Sequence, residues 1–149
     1  MAIPAMIKRD RAGEYRHFVM QKHFVEKHFP FFKCTIHKNV FECVGEIVPS
    51  RHCGRYRIGI RYRQAGIPEV RIRHPEIKDR IHMYGDGRLC LYDYREQPWR
   101  DGDNIHEKII PWTAEWLVFY ELYLIRGKWL GPEAVHGAEG KTQEESLVA

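Results

Sequence analysis

Cys90 is the residue of this sequence whose surroundings best suit covalent chemistry. It follows a Gly85-Asp86-Gly87 turn by three residues and has a leucine on each side. A thiol attacks through its thiolate, which must be reachable, and a loop exposes a thiol better than a core strand does. We therefore expect Cys90 to be accessible. The alternative is a buried structural cysteine, which is the commoner fate of a free thiol.

The other three cysteines are Cys34, Cys43 and Cys53, and the sequence has no Cys-x-x-Cys pair. With His37 and His52 they could supply zinc ligands, but their spacing does not form a standard paired knuckle. Scattered strand residues are the favoured interpretation, so we expect no metal and no cofactor. A chain of 149 residues with 44% apolar residues can bury a core without disulfides, which favours reduced thiols and a cytoplasmic location.

The first part of the chain predicts one helix followed by strands. A helix is expected from about residue 7 to residue 28, ended by Pro30, because apolar residues recur near helical spacing. The apolar residues expected to face inward are Tyr15, Phe18, Val19, Val25 and Phe29. Runs rich in β-branched and aromatic residues predict strands at 32–36, 40–48, 55–63 and 69–73. Lys38-Asn39 suits a hairpin turn between the first two strands.

The third predicted strand alternates tyrosine or isoleucine with arginine, so its two faces differ in character. One face should meet a core, and the opposite face, continued on the fourth strand, should be cationic and wet. We call the outward residues the arginine face: Arg55, Arg57, Arg61, Arg63, Arg71 and Arg73.

The second half of the chain predicts a long loop and one helix. Residues 74–104 are broken by proline and glycine but contain many aromatic residues, which indicates an ordered functional loop. A helix should run between Pro111 in its first turn and a Gly127 cap. We expect one domain over residues 1–131 and a polar, mobile tail over 132–149. The longest apolar stretch, 116–125, is too short to span a membrane, and no membrane partner is expected.

Charge is unevenly distributed along the chain, whose formal net charge is +4. Residues 51–73 hold seven arginines against one acid, whereas residues 105–149 hold four basic residues against seven acids. A nucleic-acid binder usually carries a broad basic footprint, and here the tyrosines point away from the arginines. We therefore expect no direct nucleic-acid partner. The arginine face is interpreted as a solvated surface or as a docking surface for an acidic protein.

The order of helix, strand meander, cysteine-bearing loop and helix resembles the ubiquitin-conjugating (UBC-like) fold, an α+β fold. The active-site stretch of that family reads Gly-x-Ile/Val-Cys-Leu with a tryptophan eight or nine residues later. Here the match is Gly87-Arg88-Leu89-Cys90-Leu91, followed by Trp99. More specifically, His82-Met83-Tyr84 and Pro111-Trp112-Thr113-Ala114-Glu115-Trp116-Leu117 resemble the conjugating domain of type II CBASS, a bacterial anti-phage system. The close resemblance covers residues 74–136.

The resemblance implies that Cys90 is the acyl-accepting nucleophile. Ubiquitin-conjugating enzymes usually carry an asparagine eight residues before the cysteine, and His82 occupies that position here. Its imidazole could donate a hydrogen bond to a developing oxyanion, or it could brace the loop through a backbone carbonyl. Asp93 and His106 are both candidates for orienting an attacking amine. The positions expected to support the loop are Gly87, Tyr92 and Trp99.

The same resemblance implies a substrate and partners. The implied reaction is thioester transfer through Cys90, and its substrate is the C-terminus of a cyclic-oligonucleotide synthase that resembles the innate-immune sensor cGAS. The implied effect of this transfer is to prime the synthase for antiviral signalling. We expect no adenylating domain in these 149 residues. Either a separate activating enzyme is a partner, or this chain modifies or processes its synthase without one. A second copy of the chain, as a homodimer, is another candidate partner. The alternative function is a non-catalytic scaffold of the same fold that binds the synthase.

Overall fold

A computed structural model gives the structure of the protein and describes residues 10–91 and 98–132. Within them one helix precedes four strands, and a second helix follows a π-helical turn. The predicted α+β order is confirmed and is consistent with a UBC-like fold. The elements are α1 (Arg11–His28), β1 (Lys33–His37), β2 (Val40–Ile47), β3 (Tyr56–Arg63), β4 (Glu69–His74), the π-helical turn (Ile105–Ile109) and α2 (Ile110–Arg126).

The four strands form one antiparallel meander in the order β1-β2-β3-β4. Lys38 and Asn39 connect β1 to β2 with φ angles of 48° and 60°, and two consecutive positive φ values are the mark of a tight hairpin turn. The predicted turn is therefore confirmed. Side chains on β3 alternate as expected, with Tyr56, Ile58 and Tyr62 buried and the arginines between them exposed.

Helix α1 begins at Arg11, so the predicted start near residue 7 is wrong. Asp10 has extended backbone angles and its carboxylate accepts a hydrogen bond from the Gly13 amide at 2.6 Å. A side chain in this position satisfies one of the free amides of the first turn and ends the helix on its N-terminal side.

The buried stripe of α1 also differs from the prediction. Tyr15 and Val19 are 57% and 41% exposed, because each lies one residue round the helix from the stripe that faces the sheet. That stripe follows spacings of four, three and four residues, as one face of a helix requires. Its members are Glu14, Phe18, Gln21 and Val25.

The predicted loop over 74–104 gives way to helical structure at Ile105, six residues before the proline expected to open the second helix. Gln21 of α1 holds this start: its side chain donates to the Asn104 side chain at 2.8 Å and accepts from the Ile105 amide at 3.0 Å. The Ile110 amide bonds to the Ile105 carbonyl, and Pro111 has no amide to contribute. The turn buries its first and last isoleucines against the core.

Helix α2 packs on the same face of the sheet as the buried tyrosines. The ring of Tyr56 meets that of Tyr120 edge-on at 6.4 Å, and the Tyr56 hydroxyl donates to the Glu121 carboxylate. Burial, together with this acceptor, raises the pKa of Tyr56.

Within the described ranges no helix combines the length and apolar character that crossing a bilayer requires. The predicted tail lies almost wholly outside the described residues.

Candidate functional site

A small hairpin presents the stretch that leads into Cys90. Met83 and Leu89 form an antiparallel bridge, and between them the Tyr84 amide donates to the Arg88 carbonyl at 2.8 Å. The Gly87 amide closes the turn onto the Tyr84 carbonyl at 2.9 Å, with φ at 91°. Residues with a side chain rarely adopt that angle, so the turn requires a glycine there.

Asp86 fixes the tip of this hairpin by electrostatics. Its carboxylate accepts from the backbone amide of Arg88 at 3.1 Å and from the Arg88 side chain at 2.7 Å. Arg71 of β4 lies 3.6 Å away on the other side. Burial acts to raise the pKa of Asp86, but the amide hydrogen bond and the two guanidinium charges outweigh it and hold the pKa below its usual value.

Cys90 is only 2% exposed, so the expectation of an accessible thiol is wrong for this conformation. The Leu89 amide donates to the Val70 carbonyl at 2.8 Å, and the Cys90 amide donates to the His82 carbonyl at 3.2 Å. The first bond holds the segment against β4, the second ties it to His82, and Leu89 itself joins the core. The Cys90 thiol donates weakly to the Tyr84 hydroxyl at 3.8 Å.

His82 lies beside Cys90 in a strained backbone conformation. Its φ of 55° is in the left-handed region, which costs a non-glycine residue about 1 kcal/mol or more. Its carbonyl accepts from both the Cys90 amide and the indole N–H of Trp116, the latter at 3.0 Å. Its ring stacks on Trp129 at 4.7 Å with an interplanar angle of 19°. Contacts on both sides therefore hold His82 in place.

The two tryptophans that hold His82 were not predicted as site residues, although both lie within residues 74–136, the range that carries the close family resemblance. The chain turns back after α2 at Gly127, whose φ is 76°. Trp129 then packs on Trp116 at 5.6 Å and on Phe119 at 5.9 Å. Gly131 makes this close return achievable, since a Cβ there would lie 2.7 Å from the Phe119 ring.

The remaining predicted site residues have different surroundings. Trp99 is buried, with its ring edge-on to Tyr62 at 5.7 Å. His106 lies in the π-helical turn and stacks on His28 of α1 at 4.7 Å. Burial lowers the pKa of His106 and outweighs the neighbouring Glu107 carboxylate, which acts to raise it. Tyr92 and Asp93 lie outside the described residues.

A cavity of about 230 Å³ lies beside the cysteine-bearing hairpin. The β3–β4 connection and the start of β4 form one wall, and the hairpin forms the other. Its lining is mainly apolar, with one carboxylate and one guanidinium: Ile67, Pro68, Glu69, Val70, Tyr84, Arg88, Leu89 and Leu91. A mainly apolar lining of this kind favours apolar groups over charged ones.

The arginine face is less cationic than its sequence suggests. Three of its members pair with carboxylates on the same side of the sheet: Arg55 with Glu46 at 3.5 Å, Arg61 with Glu42 at 3.4 Å, and Arg71 with Glu69 at 3.3 Å. Cross-strand register places Glu42 directly opposite Arg61. In the described part of the chain, no carboxylate lies within 4.0 Å of the other three arginines: Arg57, Arg63 and Arg73.

The candidate zinc ligands are not assembled. Cys34 and Cys43 face each other across β1 and β2 with their sulfurs 3.1 Å apart, both buried. The hydrogen bond with Cys34 and burial raise the pKa of Cys43, which makes it a poor nucleophile. Across residues 10–91 and 98–132, no three histidine, cysteine or acidic side chains are grouped so as to hold a metal ion.

Comparison with known proteins identifies the family. The model of the Type II CBASS E2 protein family matches residues 21–137, which is more than half of the chain. A search of curated proteins finds no match. The matched range contains the hairpin, Cys90, His82 and both tryptophans that hold His82. The chain therefore belongs to the type II CBASS E2 family, which indicates an E2-like role in CBASS defence.

Proposed function

We propose that the protein has the ubiquitin-conjugating fold and carries the C-terminus of a cGAS-like cyclic-oligonucleotide synthase as a thioester on Cys90. Family membership supports the E2-like role. The observation that carries the assignment to Cys90 is its direct backbone bond to His82 at 3.2 Å, beside an apolar cavity. Cys90 is also the one cysteine that follows a glycine-closed turn.

The chemistry of the proposal takes two steps. The Cys90 thiolate attacks the activated C-terminal carbonyl of the synthase, the C–S bond forms, and the activating group leaves. A separate activating enzyme supplies that group. An amine then attacks the thioester carbonyl: the C–N bond forms, the C–S bond breaks, and the departing thiolate takes up the proton that the amine loses. The apolar cavity would hold the residues before the reacting carbonyl and keep water from the ester.

Because Cys90 is buried, the loop has to open before the thiol can react. The Tyr84 hydroxyl lies 3.8 Å from the Cys90 sulfur, and opening would break the backbone bonds from Leu89 to Val70 and from Cys90 to His82. His82 is strained next to this segment, so it is suited to a position that changes on opening. In the proposal His82 either donates to the oxyanion or braces the loop through its own carbonyl.

The arginine face is proposed as a docking surface for an acidic region of the synthase or of a second copy. Arg57, Arg63 and Arg73 would carry the attraction, because the other members already have carboxylate partners. Such charges mainly accelerate encounter and orient the partner. Binding should weaken towards ~0.5 M salt, where the screening length falls to a few ångströms. Charge reversal at Arg63 should weaken docking and leave Cys90 alkylation unchanged.

The proposal places the protein in the cytoplasm, where thiols stay reduced. No disulfide joins any of its four cysteines, all of which lie within the described residues.

Intact-mass analysis of the protein co-expressed with its synthase and an activating enzyme tests the function. We expect an adduct that reductant removes and that Cys90→Ala lacks. Cys53→Ala is the matched control and should keep the adduct. Absence of any adduct, together with normal phage protection by Cys90→Ala, would instead identify a non-catalytic scaffold.

A further inference from the structure

A β-bulge alters the outer face of the sheet near the end of β4. Arg57 pairs with His74 and Ile58 pairs with Ile72, so Arg73 is an extra residue with no partner on β3. A bulge of this kind redirects side chains and often lies beside a binding site. Here it brings the consecutive residues Arg73 and His74 to the same pocket, whereas regular alternation would send them to opposite faces.

Gly59 provides the space that the Arg73 side chain occupies. It holds an outward position on β3, yet it is buried, and a Cβ built there would lie 2.4 Å from Arg73 Nε. The Arg73 guanidinium therefore lies over the glycine, while the residue as a whole remains exposed. A glycine inside a strand weakens the strand, and it commonly marks a place where another group approaches closely.

The result is an open polar pocket of about 390 Å³ lined by Glu46, Arg55, Arg57, Arg73 and His74. Arg55 is engaged with Glu46 at 3.5 Å. Arg57 and Arg73 have no carboxylate within 4.0 Å among the described residues. The pocket thus has about two positive charges that its own acid does not offset, before any charge on the imidazole is counted.

We propose that this pocket binds the phosphoryl group of a small phosphorylated ligand. Two guanidinium groups and an imidazole provide more N–H donors than one carboxylate can accept, whereas a phosphate dianion offers three oxygens and two charges. The bulge and Gly59 hold two of these donors on neighbouring residues. The site is on the sheet face opposite the helices, so it is separate from the core on which Cys90 packs.

Isothermal titration with inorganic pyrophosphate at low salt tests the proposal. We expect saturable binding of one ion per chain, about tenfold or more tighter than binding of the dicarboxylate glutarate. Arg73→Gln and Gly59→Ala should each weaken pyrophosphate binding about tenfold or more, the first by removing the guanidinium and the second by displacing it. Circular dichroism melting would establish that both variants are folded.

Arg63→Gln is the matched control, since Arg63 is on the same face, has no carboxylate within ion-pair distance in the described residues, and does not line the pocket. It should change pyrophosphate affinity less than about twofold, as a distant surface charge does. Equal weakening by Arg63→Gln and Arg73→Gln would mean diffuse attraction to a basic surface and would overturn the proposal. Glutarate binding as tight as pyrophosphate, or no saturable binding at all, would overturn it as well.

Discussion

The reactivity of Cys90 should be governed by opening of the segment that buries it. In the native protein, iodoacetamide should alkylate Cys90 much more slowly than Cys53, which lies partly exposed in the turn after β2. Leu89→Ala should accelerate alkylation of Cys90, because Leu89 is the buried apolar side chain that holds the segment against the core.

The structure sets the size of this effect. Opening breaks the bond from Leu89 to Val70 and the bond from Cys90 to His82. Each such hydrogen bond contributes about 0.5–1.5 kcal/mol net, and exposing Leu89 costs about 1.5–3 kcal/mol. The total of about 2.5–6 kcal/mol corresponds to alkylation slowed about 70- to 25,000-fold relative to an open segment. Leu89→Ala removes the contribution from burying the leucine side chain, so it should raise the alkylation rate of Cys90 by about one to two powers of ten.

Peptide mapping by mass spectrometry after timed alkylation measures both cysteines in the same sample. In denaturant Cys90 and Cys53 should react at similar rates, which calibrates the comparison. Buried Cys43 should react only on global unfolding. The reasoning is refuted if native Cys90 reacts within about tenfold of Cys53, or if Leu89→Ala changes neither rate, because the buried contacts then do not control access.

Three further predictions follow from particular positions. His82→Ala should slow acyl transfer in single-turnover assays about ten- to a thousand-fold, with His82→Asn retaining more activity; equal rates would leave only a bracing role. Gly45→Ala should lower the free energy of unfolding in denaturant titrations by about 1–3 kcal/mol, because the added Cβ would lie 2.3 Å from the Phe32 ring. Gly54 has open space around it, so Gly54→Ala should change the free energy of unfolding little. Burial lowers the pKa of His106 from 6.5, so as the pH falls the unfolded chain takes up the proton before the folded protein does. The melting temperature should therefore fall as the pH drops below 6.5, and His106→Gln should reduce this dependence on pH.

Strand faces and turns could be predicted from the sequence because their geometry is local. Side chains alternate along any strand, so the tyrosines and isoleucines of β3 had to share one face and the arginines the other. The Lys38-Asn39 hairpin could be predicted because asparagine tolerates positive φ and the pair lies between two strand-like runs. The helical spacing of apolar residues did not predict that polar Glu14 and Gln21 are buried in α1. The Gln21 side chain accepts a hydrogen bond from the Ile105 amide, which lies 84 residues away in the chain.

Within the candidate site, sequence reasoning pointed to Cys90, His82 and Gly87, and the structure supplies contacts that spacing could not. A turn ending in glycine can be read from residue types, but the burial of Cys90 depends on the carbonyl of Val70, twenty residues away in the chain. The stacking of Trp129 on His82 likewise joins segments separated by all of α2. Neither contact has a local sequence signal.

The sequence alone determined the order of elements, the alternation of the sheet and the cationic character of one face, because neighbouring residues and short periods control these properties. Only the tertiary structure decided which arginines have carboxylate partners, since pairing depends on cross-strand register. It also decided that a bulge and a glycine bring Arg73 beside His74, and that the Cys90 thiol is covered. These outcomes depend on distances between segments remote in the chain, which packing sets and local propensity does not.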